Sequence, residues 1–162
     1  MGKMKKNICR IFSCLQAIRR EAKPKAITPY DVYLYICGLA KYNHGETKYI
    51  CLNDFYPGKR KRRKGYTMFD FDHVDIAATR KLLLSLEQFE TVLIFKKPSG
   101  DGVNWIVKNN SRLDHTQFYK AVSRCLQLNY NLTTDPCGRF PERCCLLPYD
   151  PAVYINPKYI EM

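Results

Sequence analysis

Apolar and polar residues alternate along several short segments in the second half of the chain, which is the pattern of half-buried strands. This pattern predicts four strands, over Tyr66–Asp72, Thr91–Lys97, Val103–Lys108 and Arg143–Leu147. Between them, apolar residues recur at helical spacing over Asp75–Leu86 and from Asp114 to about Leu128. The resulting β-α-β-β-α-β order predicts an α+β fold with an RRM/ferredoxin-like antiparallel sheet. Both helices would cover one face of the sheet and leave the other face open.

The N-terminal part of the chain predicts a helical/β extension that belongs to the same domain. Helical spacing over Ile8–Ala22 predicts a first helix. Thr28 has the features of an N-cap, with Asp31 three residues later, and opens a second helix that runs to about Tyr42. A short strand is predicted over Lys48–Leu52.

Positive charge is concentrated in this extension, residues 1–64, rather than in the predicted core, residues 65–162. The formal net charge of the 162-residue chain is +12; the extension holds 16 Lys and Arg against 4 Asp and Glu, whereas the core holds 11 of each. Such asymmetry is typical of proteins that bind a polyanion. Six consecutive cations predict an exposed loop that contacts nucleic acid: Lys59, Arg60, Lys61, Arg62, Arg63 and Lys64. A merely solvated loop is the alternative.

The eight cysteines form no C-x-x-C pair and show no regular spacing to histidine, which favours reduced structural thiols over a zinc site. The N-terminus lacks the uninterrupted apolar stretch of an export signal. Apolar runs such as Val92–Phe95 are too short to cross a bilayer. These features predict a cytoplasmic protein of one domain that has no membrane partner.

Two carboxylates on the first predicted core strand are the strongest chemical signal in the sequence. If Phe69 and Phe71 face the helix-covered core, alternation places Asp70 and Asp72 on the opposite face, about 6.6 Å apart along the strand. Mg²⁺ typically takes one or two carboxylates together with substrate phosphates, so the pair predicts a divalent-metal site. Capping of the following helix is the alternative, and it leaves Asp70 unexplained.

Two further segments carry residues that suit a phosphate ligand. The turn over Ser99–Gly102 contains two glycines, which let backbone amides approach phosphate oxygens, although a plain hairpin also uses glycine. Asn104 and Lys108 on the next strand are expected to approach the carboxylate pair. The final predicted strand is preceded by an acid and two cations: Asp135, Arg139 and Arg143.

Together these segments resemble the catalytic core of the archaeo-eukaryotic primase superfamily, from about Lys64 to the C-terminus. The shared features are the acidic pair in Phe69–Asp72, the Ser-Gly-x-Gly turn at Ser99–Gly102, and the later Asp135 followed by arginines and a strand. Within the superfamily, the chain is most similar to the VirE-like N-terminal domain of bacterial mobile-element proteins. The segments that carry this similarity are Phe69–Val74, Pro98–Gly102 and Arg143–Pro157.

The resemblance implies a nucleotidyltransferase of the primase-polymerase type that acts in DNA replication or in mobilisation of a mobile element. Its catalytic and metal-binding residues would be Asp70, Asp72 and Asp135, which would hold Mg²⁺ or Mn²⁺ for two-metal nucleotidyl transfer. The implied partners are a nucleoside triphosphate, DNA or RNA, and a helicase or other replication protein. The implied phosphate-binding residues are Ser99, Gly100, Gly102, Asn104, Lys108, Arg139 and Arg143.

One residue departs from this family pattern and keeps other functions open. Asn104 stands where active members carry a histidine, and asparagine cannot supply a positive charge, so catalysis is expected to be weak or absent. A catalytically degenerate nucleic-acid-binding module is the first alternative, because Lys64–Phe71 partly matches an RNA-recognition signature. A protein-interaction module is the second. A rolling-circle nicking enzyme is excluded, because no His-apolar-His pair is present.

Overall fold

The computed structural model describes residues 9–12, 25–40, 49–52, 65–141 and 143–160. In these ranges the helices are α1 (Pro29–Ile36), α2 (Ile76–Ser85) and α3 (His115–Tyr130). The strands are β1 (Cys9–Phe12), β2 (Lys25–Ile27), β3 (Tyr49–Cys51), β4 (Tyr66–Phe71), β5 (Glu90–Lys96), β6 (Val103–Lys108), β7 (Cys144–Leu146) and β8 (Tyr154–Ile155). Short 3-10 helices occupy Pro136–Arg139 and Pro157–Tyr159. None of these helices has the length and apolar character that crossing a bilayer requires.

The strands form two four-stranded sheets in which every neighbouring pair is antiparallel. One sheet has the order β4-β6-β5-β8 and the other β2-β1-β3-β7. Since β6 runs antiparallel to both β4 and β5, the latter two are parallel, and α2 makes the crossover between them. The α+β class, the antiparallel sheet and the position of β6 beside β4 are therefore confirmed.

The final strand predicted over Arg143–Leu147 is present, but the prediction of the sheet to which it belongs is wrong. It forms as β7, but β7 pairs with β3 in the second sheet. The fourth position of the first sheet is taken by β8, which was not predicted and which pairs with β5 rather than β4. Asn156 fixes this edge, because its backbone N–H donates to Val92 O at 2.9 Å and its side chain donates to Thr91 O at 2.8 Å.

The N-terminal extension differs from its prediction at Cys9–Phe12 and at the end of the second helix, whereas the strand predicted over Lys48–Leu52 forms as β3. Residues Cys9–Phe12 form a strand, not the start of a helix, because they pair on both sides with β2 and β3; the remainder of Ile8–Ala22 lies outside the described residues. The cap at Thr28 is confirmed, since Thr28 and Asp31 form a reciprocal capping box. Helix α1 ends at Ile36 rather than near Tyr42, because Gly38 adopts a left-handed conformation (φ +80°).

Free thiols are confirmed at Cys37, Cys125, Cys137 and Cys145. The prediction is wrong for Cys144, which is disulfide-bonded. Cys144 lies on the opposite face of β7 from its buried neighbour Cys145, and spacing along the sequence does not reveal which of the two forms a disulfide.

The first sheet buries both of its faces. On one face, Phe69, Phe71 and Trp105 pack with residues of α2 and α3, as predicted. The face that was expected to be open is covered: Met68 and Ile106 lie in a second core. The partners that cover them include Val32, Ile36, Ile50, Cys145 and Leu147. The correction has a simple cause, because apolar side chains alternate with the polar ones on this face and need cover from water.

A buried carboxylate joins the elements that make this cover. Asp150 is 3% exposed, accepts hydrogen bonds from Lys96 N (2.7 Å) and Ala152 N (3.0 Å), and forms an ion pair with Arg80. Its own backbone N–H donates to Ile36 O at 2.9 Å. The C-terminal segment is thereby attached to α1, α2 and β5.

We expect Asp150→Asn to lower the free energy of unfolding by about 3 kcal/mol. Lys96 N and Arg80 contact the same carboxylate oxygen, and the substitution replaces one of the two carboxylate oxygens by an NH₂ group that cannot accept a hydrogen bond. Urea unfolding measures the change. The exposed Glu87→Gln is the matched control, with an expected change within about 0.5 kcal/mol. Equal effects of the two substitutions would contradict the role of Asp150.

Candidate functional site

Asp70 lies next to the C-terminal residue of β4, directly opposite Asn104 on β6. Both residues are only 2% exposed, because the second sheet covers this face. The expectation that Asp70 projects from a bare surface is therefore wrong, whereas the expected proximity of Asn104 is confirmed. A carboxylate in such a place is costly unless it is paired.

The segment that carries Asp135 is docked against β4 by several contacts. Asp135 N donates to Asp70 O at 2.9 Å. Gly138 packs so closely that a Cβ atom there would lie 2.7 Å from Met68 O and 2.5 Å from the ring of Tyr119, so no larger residue fits without a shift. Ring nitrogen Nε2 of His115 lies 3.0 Å from Gly138 O. The short helix at Pro136–Arg139 is thereby held over the end of β4.

Arg143 brings the two carboxylates together. Its Nη2 atom forms an ion pair with Asp70 Oδ2 and lies 3.7 Å from Asp135 Oδ2. Three residues that are far apart in sequence thus meet at one place, as the sequence analysis predicted for the acids and this arginine.

The polar atoms of this cluster are incompletely satisfied. The contact between Arg143 and Asp70 is an ion pair without hydrogen-bond geometry, and neither oxygen of Asp70 has a hydrogen-bond partner in the described ranges. Buried Asn104 Oδ1 and Arg143 Nη1 lack one as well, while Asn104 Nδ2 lies 3.4 Å from the sulfur of Cys145. Buried polar atoms without partners are uncommon in folded proteins and mark a place where a ligand gains interactions.

Burial dominates the electrostatics of Asp70. It raises the pKa of this carboxyl above its ordinary value, although the charges of Arg143 and Lys97 act in the opposite direction. The pKa of Asp135 is lowered, chiefly by the hydrogen bond from Cys137 N (2.9 Å), with Arg143 contributing. Burial also raises the pKa of the Cys145 thiol to about 12, so this sulfur is not a thiolate ligand at neutral pH.

Asp72 lies at the mouth of the cluster, where its side chain is 43% exposed and forms an ion pair with Lys97. The hydrogen bond from Lys97, together with the nearby Asp70 and Asp72 charges, outweighs burial and raises the pKa of Lys97. Lys97 was not predicted as a site residue. A usable signal was present in the sequence, because Lys97 ends the predicted strand before the Pro98–Gly102 turn, and this turn lies beside the end of β4.

The glycines of the Pro98–Gly102 turn have structural causes. A Cβ at Gly102 would lie 2.2 Å from Phe71 O, and Gly100 is left-handed with φ +81°. Ser99 donates to Asp101 at 2.6 Å, and the Asp101 carboxylate lies 2.7 Å from His73 Nδ1. The turn is therefore attached to the loop after β4, next to Asp72.

Lys108, one of the predicted phosphate contacts, lies away from the cluster. Lys108 pairs with Tyr66 at the far end of β4, with Nζ 4.7 Å from the Tyr66 ring centroid, and is about 13 Å along β6 from Asn104. Arg139 is exposed and rests on the ring of Phe140. The cationic run Lys59–Lys64 lies outside the described residues.

The donor set fits a hard divalent cation that brings other ligands with it. Among the described residues, no three side chains of His, Cys, Asp or Glu are gathered closely enough to hold a metal ion alone. Asp70 and Asp135 share one arginine, and no hydrogen-bond donor in the described part of the chain satisfies the buried oxygens of Asp70 or Asn104. Two carboxylates completed by phosphate oxygens and water make an ordinary Mg²⁺ environment.

No protein-family model matches the chain, and neither a curated protein nor a solved structure does.

We expect Asp70→Asn to stabilise the fold at pH 7. Because the pKa of Asp70 is raised in the folded state, its ionisation opposes folding, and an uncharged amide removes that penalty. The gain should disappear below the ordinary carboxyl pKa of 3.8, where Asp70 is protonated in both states. Urea unfolding as a function of pH measures it.

Asp135→Asn is the matched control and should have the opposite sign. The pKa of Asp135 is lowered, so its ionised form stabilises the fold at neutral pH and this contribution is lost as the pH falls through the folded-state pKa. Destabilisation by both substitutions at pH 7 would contradict the electrostatic description of Asp70.

Proposed function

We propose that this chain is a primase-polymerase-like domain that binds a divalent metal, a nucleoside triphosphate and nucleic acid, in DNA replication or in mobilisation of a mobile element. The observation that supports the proposal is the meeting of Asp70, Asp135 and Arg143, whose buried polar atoms are incompletely paired. Structural ion pairs of this depth are normally completed by hydrogen bonds. A ligand-binding site, in contrast, needs polar atoms that are available to the ligand.

In this proposal, Asp70 and Asp135 hold Mg²⁺ or Mn²⁺, with Asp72 at the mouth as a further acid. Such an ion would supply positive charge for the phosphates and for the charge that develops in nucleotidyl transfer. Arg143 and Lys97 stand next to these acids and supply positive charge to a triphosphate. Lys108 is too remote from Asp70 in the structure to share this role without rearrangement, so Lys97 takes the role expected of Lys108.

Asn104 favours a second candidate, a catalytically degenerate nucleic-acid-binding or protein-interaction module. It is buried, carries no charge and donates toward Cys145 rather than toward the mouth of the site. Ligand binding is compatible with this arrangement, but it lacks the positive charge that the histidine of active family members provides. Base stacking on the sheet in the manner of an RNA-recognition motif is not supported, because Tyr66 and Met68 lie in the core.

Ligand binding is tested by thermal unfolding with Mn²⁺ and a mixture of nucleoside triphosphates. We expect the melting temperature to rise, because a ligand at about 100 times its Kd stabilises the folded state by about 2.7 kcal/mol. The double substitution Asp70→Asn with Asp72→Asn should abolish the rise relative to its own ligand-free value. Glu87→Gln should keep it. An equal rise of the melting temperature in the double variant would contradict a metal site at Asp70 and Asp72.

Catalysis is tested by incorporation of labelled nucleotide on primed and unprimed templates. Asn104→His should raise incorporation by ~10-fold, since it restores a positive group at the site. Histidine is larger than asparagine at a fully buried position, so Cys145→Ala is added to make space beside it. Cys145→Ala alone is the control. Ligand binding without incorporation in any variant would favour the degenerate module.

A further inference from the structure

Arg143 occupies the place between two carboxylates that a cation would take. A single nitrogen atom, Nη2, is shared by Asp70 Oδ2 and Asp135 Oδ2. A guanidinium and a divalent ion repel each other and cannot both lie between the same two oxygens. In the ligand-free protein, Arg143 therefore acts as the counter-ion of this site.

The contacts that hold Arg143 in this place leave part of its hydrogen-bonding capacity unused. It forms an ion pair with Asp70, but its buried Nη1 atom has no hydrogen-bond partner among the described residues. Its side chain is 25% exposed, so the guanidinium lies at the border between the buried Asp70 and solvent. Arginine carries five hydrogen-bond donors in a planar arrangement that matches phosphate oxygens. Phosphate oxygens would therefore satisfy the Arg143 donors to which Asp70 offers no acceptor.

The charges at the site also argue against a metal ion that binds alone. Three carboxylates, those of Asp70, Asp72 and Asp135, face two cationic side chains, Arg143 and Lys97. A divalent ion that binds without an anion would add positive charge to a site whose negative charges are already largely compensated. A triphosphate that arrives with the metal supplies an anionic partner for both displaced cations.

We propose that Arg143 is an exchangeable counter-ion, which releases Asp70 and Asp135 when metal binds and transfers to the triphosphate. This inference rests on the proposed function and adds to it a coupling between metal and nucleotide. It follows that Arg143 weakens the binding of metal alone and strengthens the binding of nucleotide. A fixed structural ion pair would do neither.

The test compares Arg143→Gln with the wild type in two titrations. Calorimetric titration with Mn²⁺ alone should show that the variant binds the ion about tenfold more tightly, because the competing charge is gone. Titration with a nucleoside triphosphate at saturating Mn²⁺ should show binding at least tenfold weaker. Arg124→Gln, which removes an exposed arginine on α3, should change neither affinity.

Arg143→Lys covers the case in which Arg143→Gln fails to fold. Lysine retains the counter-ion charge but not the planar fork, so Mn²⁺ affinity should stay within about threefold of the wild type while triphosphate affinity falls. Mn²⁺ binding that is unchanged or weaker in Arg143→Gln, or stronger in Arg143→Lys, would overturn the counter-ion inference while leaving the metal site in place. No Mn²⁺ binding in any of these proteins, with or without triphosphate, would overturn the proposed function as well.

Discussion

The burial of the Asp70 carboxylate against Arg143 constrains the rest of this structure. An ionised carboxylate beneath a second sheet loses most of its hydration, and one imperfect ion pair does not replace it. The raised pKa of Asp70 expresses that deficit. Apolar residues of the same volume would make a more stable core here, so stability alone does not account for the presence of the acid.

The cover that buries Asp70 also completes the site. Strand β7 belongs to the sheet that lies over β4 and β6, and Arg143 immediately precedes it. Asp135 lies in a different segment, which is attached to β4 through Asp70 O and Gly138. A sheet with an open face would display the two acids of β4 but would offer no arginine above them.

Local signals in the sequence were sufficient for the parts of the fold that depend on local interactions. Alternation predicted β4 and β6 and the faces of Phe69 and Asp70, and the capping box at Thr28 was correct. Pairing between distant segments was not predictable in this way, so the sheet that β7 joins and the strand β8 were missed. The candidate site was recovered because motif order, rather than topology, indicated Asp135 and Arg143. The position of Lys108 was misjudged because alternation assigns a face but ignores distance along the strand.

Asp70 lies in one sheet and Arg143 immediately precedes β7 of the other, so the site lies across the interface between the two sheets. Coulombic attraction falls as the separation grows, which makes the electrostatic balance of the site sensitive to small shifts of one layer against the other. The reverse also holds. A metal–triphosphate complex bound between Asp70 and Arg143 would link the layers directly, and it would make their separation more difficult than the apolar core alone does.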